Sequence, residues 1–279
     1  MNCFAIISGF IIFANKIPYD MPLHLTIGYD AKRAVSNGTG LGNYCRTLLN
    51  DLGTIDTTDS FRLYVPDLGR DDLRSQLDMP RNMSFVTPAN KLVKPLRSLW
   101  RIKGIVNDLK RDGVDIYHGL TGELPLGLSE AGIKSVVTIH DLIFMRCPEY
   151  YIPVDVAIYK GKFRNTCKQA DRIIAISECT RRDIMELGEI DDSRIDVVYQ
   201  SCDTRFRLQV SPEQKQDVRA RYSLPKRYVL FVGTIEERKN ALLAAQALPY
   251  LSDDIHLVLV GRQTAYAKTI FSFARQNGL

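Results

Sequence analysis

The 279-residue chain is 45% hydrophobic and 25% charged, a balance that excludes a disordered or fibrous chain and suits roughly two globular cores. A formal charge of +5 is modest for this length; it excludes the strongly basic footprint of a duplex-DNA binder and favours anionic partners such as a nucleotide or a lipid headgroup. Cys3, Cys45, Cys147, Cys167, Cys179 and Cys202 show neither the spacing of a zinc site nor the density of a disulfide scaffold, so they read as free thiols of a cytoplasmic protein.

Residues 1–14 are almost wholly apolar. The run is short of the ~20 residues that span a bilayer, and it lacks a basic leading segment and a clear cleavage site. Met21 precedes Leu23-His24-Leu25-Thr26-Ile27-Gly28-Tyr29-Asp30, which reads as the first strand of a domain. Met21 is therefore the expected start and 1–20 a translated upstream extension; a segment lying on a membrane surface is the alternative.

From Leu25 onward, short β-branched runs alternate with amphipathic stretches in the order of βαβ units on a parallel sheet. Strands or strand ends are expected at Ile27 and over 61–65, 84–86, 115–118, 135–140 and 172–177, with helices over 44–52, 95–111, 154–170 and 178–187. The pattern runs to about Tyr199. Ser211-Pro212-Glu213 then sets an N-cap serine before a proline at the first helical position, opening a polar connector helix. A second α/β unit follows as strand 228–232, helix 241–251, strand 255–261 and helix 264–277. Two strands do not build a stable doubly wound sheet alone. The expected division is thus an extension over 1–20, an N-terminal domain over 21–205 and an incomplete C-terminal domain over 206–279.

Candidate chemistry begins with Ser36-Asn37-Gly38-Thr39-Gly40-Leu41-Gly42-Asn43-Tyr44, which follows the first strand and leads into a helix. Glycines there let backbone approach a ligand. The loop fails the Gly-x-Gly-x-x-Gly dinucleotide fingerprint, because the third glycine would fall on Asn43 and instead comes early at Gly42. That argues against a nicotinamide dehydrogenase and leaves a ligand loop and a plain turn as equal readings. His118 and His140 each close an apolar strand, and the carboxyl ends of such strands face the ligand crevice of open α/β sheets. An imidazole there can bond a sugar hydroxyl or a phosphate oxygen, and Asp141 can orient its neighbour or accept a hydroxyl; structural histidines satisfying carbonyls are the plainer alternative. No further ligand converges at metal-site spacing, so no bound metal and no cofactor is expected.

In Gly233-Thr234-Ile235-Glu236-Glu237-Arg238-Lys239-Asn240, an apolar run ends in a glycine turn that delivers two adjacent cations to the start of a helix. That is a place to hold a diphosphate, with a solvated charged turn as the alternative.

Together the glycine loop, residues 136–142, Ala170-Asp171-Arg172-Ile173-Ile174-Ala175-Ile176-Ser177-Glu178 with Arg181-Arg182-Asp183, and residues 229–240 resemble the retaining glycosyltransferases of family 4, of GT-B fold. The resemblance covers essentially all of 25–279. It implies two Rossmann-like domains, an acceptor held mainly by the N-terminal one, and a nucleoside-diphosphate sugar held mainly by the C-terminal one. It implies that Arg238 and Lys239 neutralise the diphosphate, with Gly233 and Thr234 in the same donor turn. Gly40 and Gly42 would lie near the phosphates, His118 would contact the transferred sugar, and His140, Asp141 and Ser177 would line the site. Transfer of a mannose- or glucose-type hexose to a glycan or lipid-linked acceptor of a surface polysaccharide is implied, with retention and without a metal, positive side chains taking the metal's place.

Two departures stand against that pattern. Thr234 occupies a position where many relatives carry arginine, and the family's paired-glutamate donor segment lies further along than Leu279. A truncated, catalytically silent nucleotide-binding protein is therefore the alternative expectation. Residues 90–111 carry Lys91, Lys94, Arg97, Arg101, Lys103, Lys110 and Arg111 against the single acid Asp108, interleaved with Leu92, Val93, Leu96, Leu99 and Trp100. Such a stretch either rests on an anionic membrane surface, bringing in a lipid-linked acceptor, or is a core helix with a solvated basic face. No aromatic-basic stacking motif accompanies the charge, so no nucleic-acid partner is expected.

Overall fold

The computed structural model describes residues 24–88 and 97–279; the expected extension over 1–20, the Met21 start, Lys91 and Lys94 lie outside them. Two compact units divide between Thr204 and Arg205.

The first unit is built on a seven-stranded parallel sheet. Strands β1 (Thr26–Asp30), β2 (Ser60–Tyr64), β3 (Met83–Val86), β4 (Ile116–Gly119), β5 (Lys134–Ile139), β6 (Arg172–Ala175) and β7 (Ile195–Val197) lie in the order β3-β2-β1-β4-β5-β6-β7. The α/β, Rossmann-like class agrees with the sequence reading. β7 was not anticipated, because its three residues, Ile195-Asp196-Val197, are too few to show a period. Strand order reverses between β1 and β4, so the topological switch point lies outside the carboxyl ends of those two strands.

Side chains alternate across the strands. Ile27, Tyr29, Phe61 and Leu63 pack with Cys45, Leu48 and Leu49 of helix α1 (Gly40–Ile55). The opposite face joins Tyr64, Tyr117, Val137 and Ile173 to Leu109 of α2 (Ile105–Arg111), Phe163 of α3 (Pro153–Gln169) and Ile184 of α4 (Glu178–Gly188). At the amino edge, Asp59, Asp115 and Asp171 accept the backbone N–H groups of Leu25, Thr26 and Ser135, each at 2.8 Å. These carboxylates satisfy the strand starts that the ladders leave unpaired.

Two helices differ from expectation. α1 begins at Gly40, so Gly40 and Gly42 lie in its first turn rather than in a loop. The helix expected over 95–111 is, in its described part, a turn Arg97–Leu99, a π-helical turn Trp100–Gly104 and then α2; the Trp100 indole N–H donates to Asp108 Oδ2 at 2.7 Å across it.

In the second unit, α5 (Pro212–Arg221) opens on a full capping box between Ser211 and Gln214. Strands β8 (Arg227–Val232) and β9 (Ile255–Val260) pair in parallel, and Phe231, Leu257 and Leu259 pack with Ile235 and with α6 (Ala241–Ala247) and α7 (Ala267–Gln276). α6 stops at Ala247 because Leu248-Pro249-Tyr250 tightens into a 3-10 turn, proline having no N–H to continue the ladder. Leu230, Val232 and Val260 are 52%, 69% and 49% exposed, although both strands have the continuous apolar runs of strands buried on two faces.

Candidate active site

At the carboxyl edge of the first unit, the two histidines are placed differently. His118 lies within β4 and is buried, its ring tilted against Tyr29 with centroids 5.7 Å apart. Its Nε2 is 2.9 Å from Thr138 Oγ1, and the Tyr44 hydroxyl lies 3.2 Å from the same Oγ1. Burial, with His140 nearby, pushes the His118 pKa down to about 3, so the ring is neutral. His140 stands one residue beyond β5 and is half-buried. Tyr44 meets it edge-on, with centroids 4.6 Å apart and planes at 86°.

Both nitrogens of His140 are engaged: Nε2 at 2.9 Å from the Leu120 carbonyl and Nδ1 at 2.9 Å from Gln200 Nε2. Burial lowers its pKa, against the Leu120 bond and Asp141, which act the other way. The Thr180 hydroxyl donates to the His140 carbonyl at 3.1 Å. Ser177 caps α4, its Oγ accepting from the Thr180 N–H at 3.1 Å. Asp141 is exposed beside His140, and its Oδ1 is 3.4 Å from the Ile143 N–H.

The two glycines of the α1 turn also part company. A Cβ on Gly42 would stand 1.7 Å from the Asn37 carbonyl oxygen, whereas one on Gly40 would meet nothing within 4 Å. Gly42 is therefore a packing glycine, buried against the loop, and Gly40 is the open one. Arg46, buried one turn along, donates to the carbonyls of Ala34 and Asn37 at 2.7 and 3.0 Å and to Asn43 Oδ1 at 2.5 Å, tying loop to helix.

The switch point itself carries charge. Arg101 bonds Asp30, the last residue of β1, at 2.6 Å and Glu123 at 3.1 Å, and Lys162 reaches Glu123 at 2.8 Å. Burial opposes the Arg101 charge, but Asp30 overcomes it and raises the pKa; burial likewise opposes the Glu123 charge, which Lys162 and Arg101 hold below the usual carboxylate range. Arg97 pairs with Asp67 and Arg111 with Asp108 and Asp112. These internal pairs engage Arg97, Arg101 and Arg111, while Lys103 remains exposed beside Leu99 and Ile102.

In the second unit, Gly233 directly follows β8 at φ +146°, where a Cβ would stand 3.1 Å from Lys239 Nζ. Its N–H donates to the Val260 carbonyl at 2.8 Å. Thr234 is half-buried, and Ile235 forms a bridge with Gln263. Arg238 and Lys239 stand on a 3-10 turn, Glu237–Lys239, closed by left-handed Asn240 at φ 50°. They immediately precede α6, which begins at Ala241 as expected. Arg238 bonds Glu236 at 2.6 Å, so part of its charge is already used, and the Lys239 side chain lies over Gly233.

Sequence reasoning did not single out Thr138, Gln200, Arg46, or the Asp30–Arg101–Glu123–Lys162 chain. Tyr44 closed the quoted glycine motif, but its contact with His140 depends on bringing α1 to the end of β5, which no local pattern encodes.

A seven-stranded, singly reversed parallel sheet followed by a second parallel α/β unit matches the fold of GT-B glycosyltransferases. The Glycosyltransferase Family 4 model matches residues 40–206, and the chain belongs to that family. It is 27% identical over 230 residues to O-antigen chain mannosyltransferase B of Escherichia coli, covering 76% of this chain and 57% of that protein. Against serotype-specific mannosyltransferase WbdA of Escherichia coli it is 32% identical over 120 residues, 41% of this chain and 15% of the relative. Among solved structures, a glycosyltransferase from Rickettsia africae shares the fold with a TM-score of 0.63 at 17% identity, over 92% of this chain and 66% of that one. Anabaena Alr3699/HepE in complex with UDP and glucose aligns with a TM-score of 0.62 at 16% identity, over 92% and 67%. The chain thus spans little more than half the length of mannosyltransferase B and about two thirds of these solved structures.

Proposed function

We propose that this chain belongs to an enzyme that transfers a hexose from a nucleoside-diphosphate sugar to a glycan or lipid-linked acceptor in surface-polysaccharide synthesis. The observation that carries the reading is the turn Gly233–Lys239, where a left-handed glycine at the end of β8 lies under the Lys239 ammonium, with Arg238 beside it. Breaking the bond to a nucleoside diphosphate develops negative charge on the leaving oxygens, and preorganised cations favour that step. Lys239 is the principal charge, with Arg238 following once it leaves Glu236; this cationic turn is what supports transfer without a divalent metal. Retention of configuration is part of the same proposal and rests on family membership.

The mannosyltransferase relatives favour a mannose-type donor and an O-antigen-like acceptor; the UDP and glucose bound by HepE favour a nucleotide-sugar donor in general. In the first unit we assign the sugar contact to His140 rather than His118, because His140 reaches the surface and His118 is spent on Thr138. Asp141, Ser177 and open Gly40 complete that edge, with Gly42 supporting it. Exposed Leu99, Ile102 and Lys103 support peripheral membrane contact, and no described helix is long and apolar enough to cross a membrane.

A second reading, nucleotide binding without transfer, is favoured by the ion pair with Glu236 that already engages Arg238. Release of GDP or UDP from GDP-mannose or UDP-glucose, abolished by Lys239→Ala, supports transfer chemistry. Nucleotide binding lost in Lys239→Ala, without any release, supports the second reading. Neither binding nor release overturns both.

A further inference from the structure

We propose that Gln200 stands where a sugar hydroxyl binds to His140, its carboxamide N–H occupying the Nδ1 lone pair that the hydroxyl takes. The inference rests on the glycosyltransferase reading above. Its starting point is the pair of bonds on the ring, from Nε2 to the Leu120 carbonyl and from Gln200 Nε2 to Nδ1, each 2.9 Å. A carbonyl oxygen only accepts, so the ring proton lies on Nε2, and in a neutral imidazole Nδ1 is then an acceptor. Burial keeps the ring neutral.

That tautomer decides what His140 recognises. Nδ1 takes a donor such as a sugar O–H or an amide N–H, and it has nothing to offer a phosphate oxygen. Gln200 supplies such a donor from an exposed residue just beyond β7, where it can leave at little cost to the fold. The rest of the ring's surroundings fix it independently of Gln200: Tyr44 holds one edge and Thr180 holds the His140 carbonyl. The hydroxyl comes from the hexose of the donor or from the acceptor glycan; both have the same chemistry.

The test is ring-nitrogen NMR of the full chain with labelled histidine. In the unliganded protein at pH 7, His140 is expected as the Nε2–H tautomer. Gln200→Glu places a carboxylate against Nδ1 and converts the ring to imidazolium, adding to Asp141, which favours the charge, while buried His118 stays neutral. Gln200→Ala keeps the tautomer and moves only the Nδ1 resonance. A His140 spectrum unmoved by both substitutions overturns the contact.

GDP-mannose and UDP-glucose then probe the donor, and methyl α-mannoside the acceptor. The Nδ1 resonance is expected to move with one of these classes, and Gln200→Ala to bind that ligand roughly fivefold tighter, since a neutral hydrogen bond no longer competes. The class that moves Nδ1 identifies the source of the hydroxyl. Nucleotide sugar that shifts the Gly233 amide, with Nδ1 unmoved by any ligand, overturns the displacement and leaves the glycosyltransferase reading standing. If no resonance moves with any ligand, that reading falls and the displacement with it, while the Gln200→Glu spectrum still decides the contact.

Discussion

His118 and Tyr44 share one hydroxyl, that of Thr138, which lies 2.9 Å from the imidazole Nε2 and 3.2 Å from the phenol oxygen. The buried histidine of β4 is thereby linked to the aromatic ring that meets His140 edge-on. Tyr44→Phe keeps the ring and removes the hydroxyl, so it is expected to cost about 1 kcal/mol in urea unfolding while leaving the His140 ring packed.

Burial of neutral His118 makes stability depend on pH. The folded pKa is near 3 against an ordinary value of 6.5, so between these values the unfolded chain binds the extra proton. The contribution is complete above pH 6.5 and is lost as pH falls, at about 1.4 kcal/mol per unit, roughly 2 kcal/mol by pH 5. His118→Gln should remove that slope from urea titrations run at pH 5 and pH 7; an unchanged difference between the two would contradict the buried, neutral ring.

Gly40 and Gly42 are two residues apart and should respond in opposite ways to alanine. Gly42→Ala drives a methyl into the Asn37 carbonyl and is expected to cost at least about 2 kcal/mol. Gly40→Ala meets open space in the first turn of α1 and should leave stability unchanged or raise it by up to about 1 kcal/mol. Thermal unfolding of the two variants side by side decides.

Arg101→Met strands the carboxylate of Asp30, whose side chain is 7% exposed, and the expected loss is about 3 kcal/mol. Adding Asp30→Asn should recover at least half of it, because the unpaired charge is then gone. Recovery absent from the double variant in urea unfolding would show that Arg101 acts by packing and not through the ion pair.

Glu236 holds Arg238 at 2.6 Å, in competition with any anion. Glu236→Gln should therefore tighten nucleoside-diphosphate binding several-fold, about 1 kcal/mol, by freeing a cation. Calorimetric titration with UDP and GDP gives the comparison, and weaker binding would mean that Glu236 orients Arg238 for the ligand.

The sequence by itself determined the alternation of strands and helices, the connector helix at Ser211 and the cation turn after β8. Each of these is local: a period of two or 3.6, a cap, or a glycine at the end of an apolar run. Local signals are also why His118 and His140 look alike in one dimension, both closing an apolar strand. Only the tertiary structure separated them, because burial depends on which neighbouring elements flank each strand end. His118 ends under Tyr29 and Thr138, while the ring of His140 stays at the edge, between Tyr44 and Gln200. The same holds for Asp30 and Arg101, 71 residues apart, and for Gln200 and His140, 60 apart. No pattern along the chain records such pairs, since they form only when the order β3-β2-β1-β4-β5-β6-β7 brings the strand ends together.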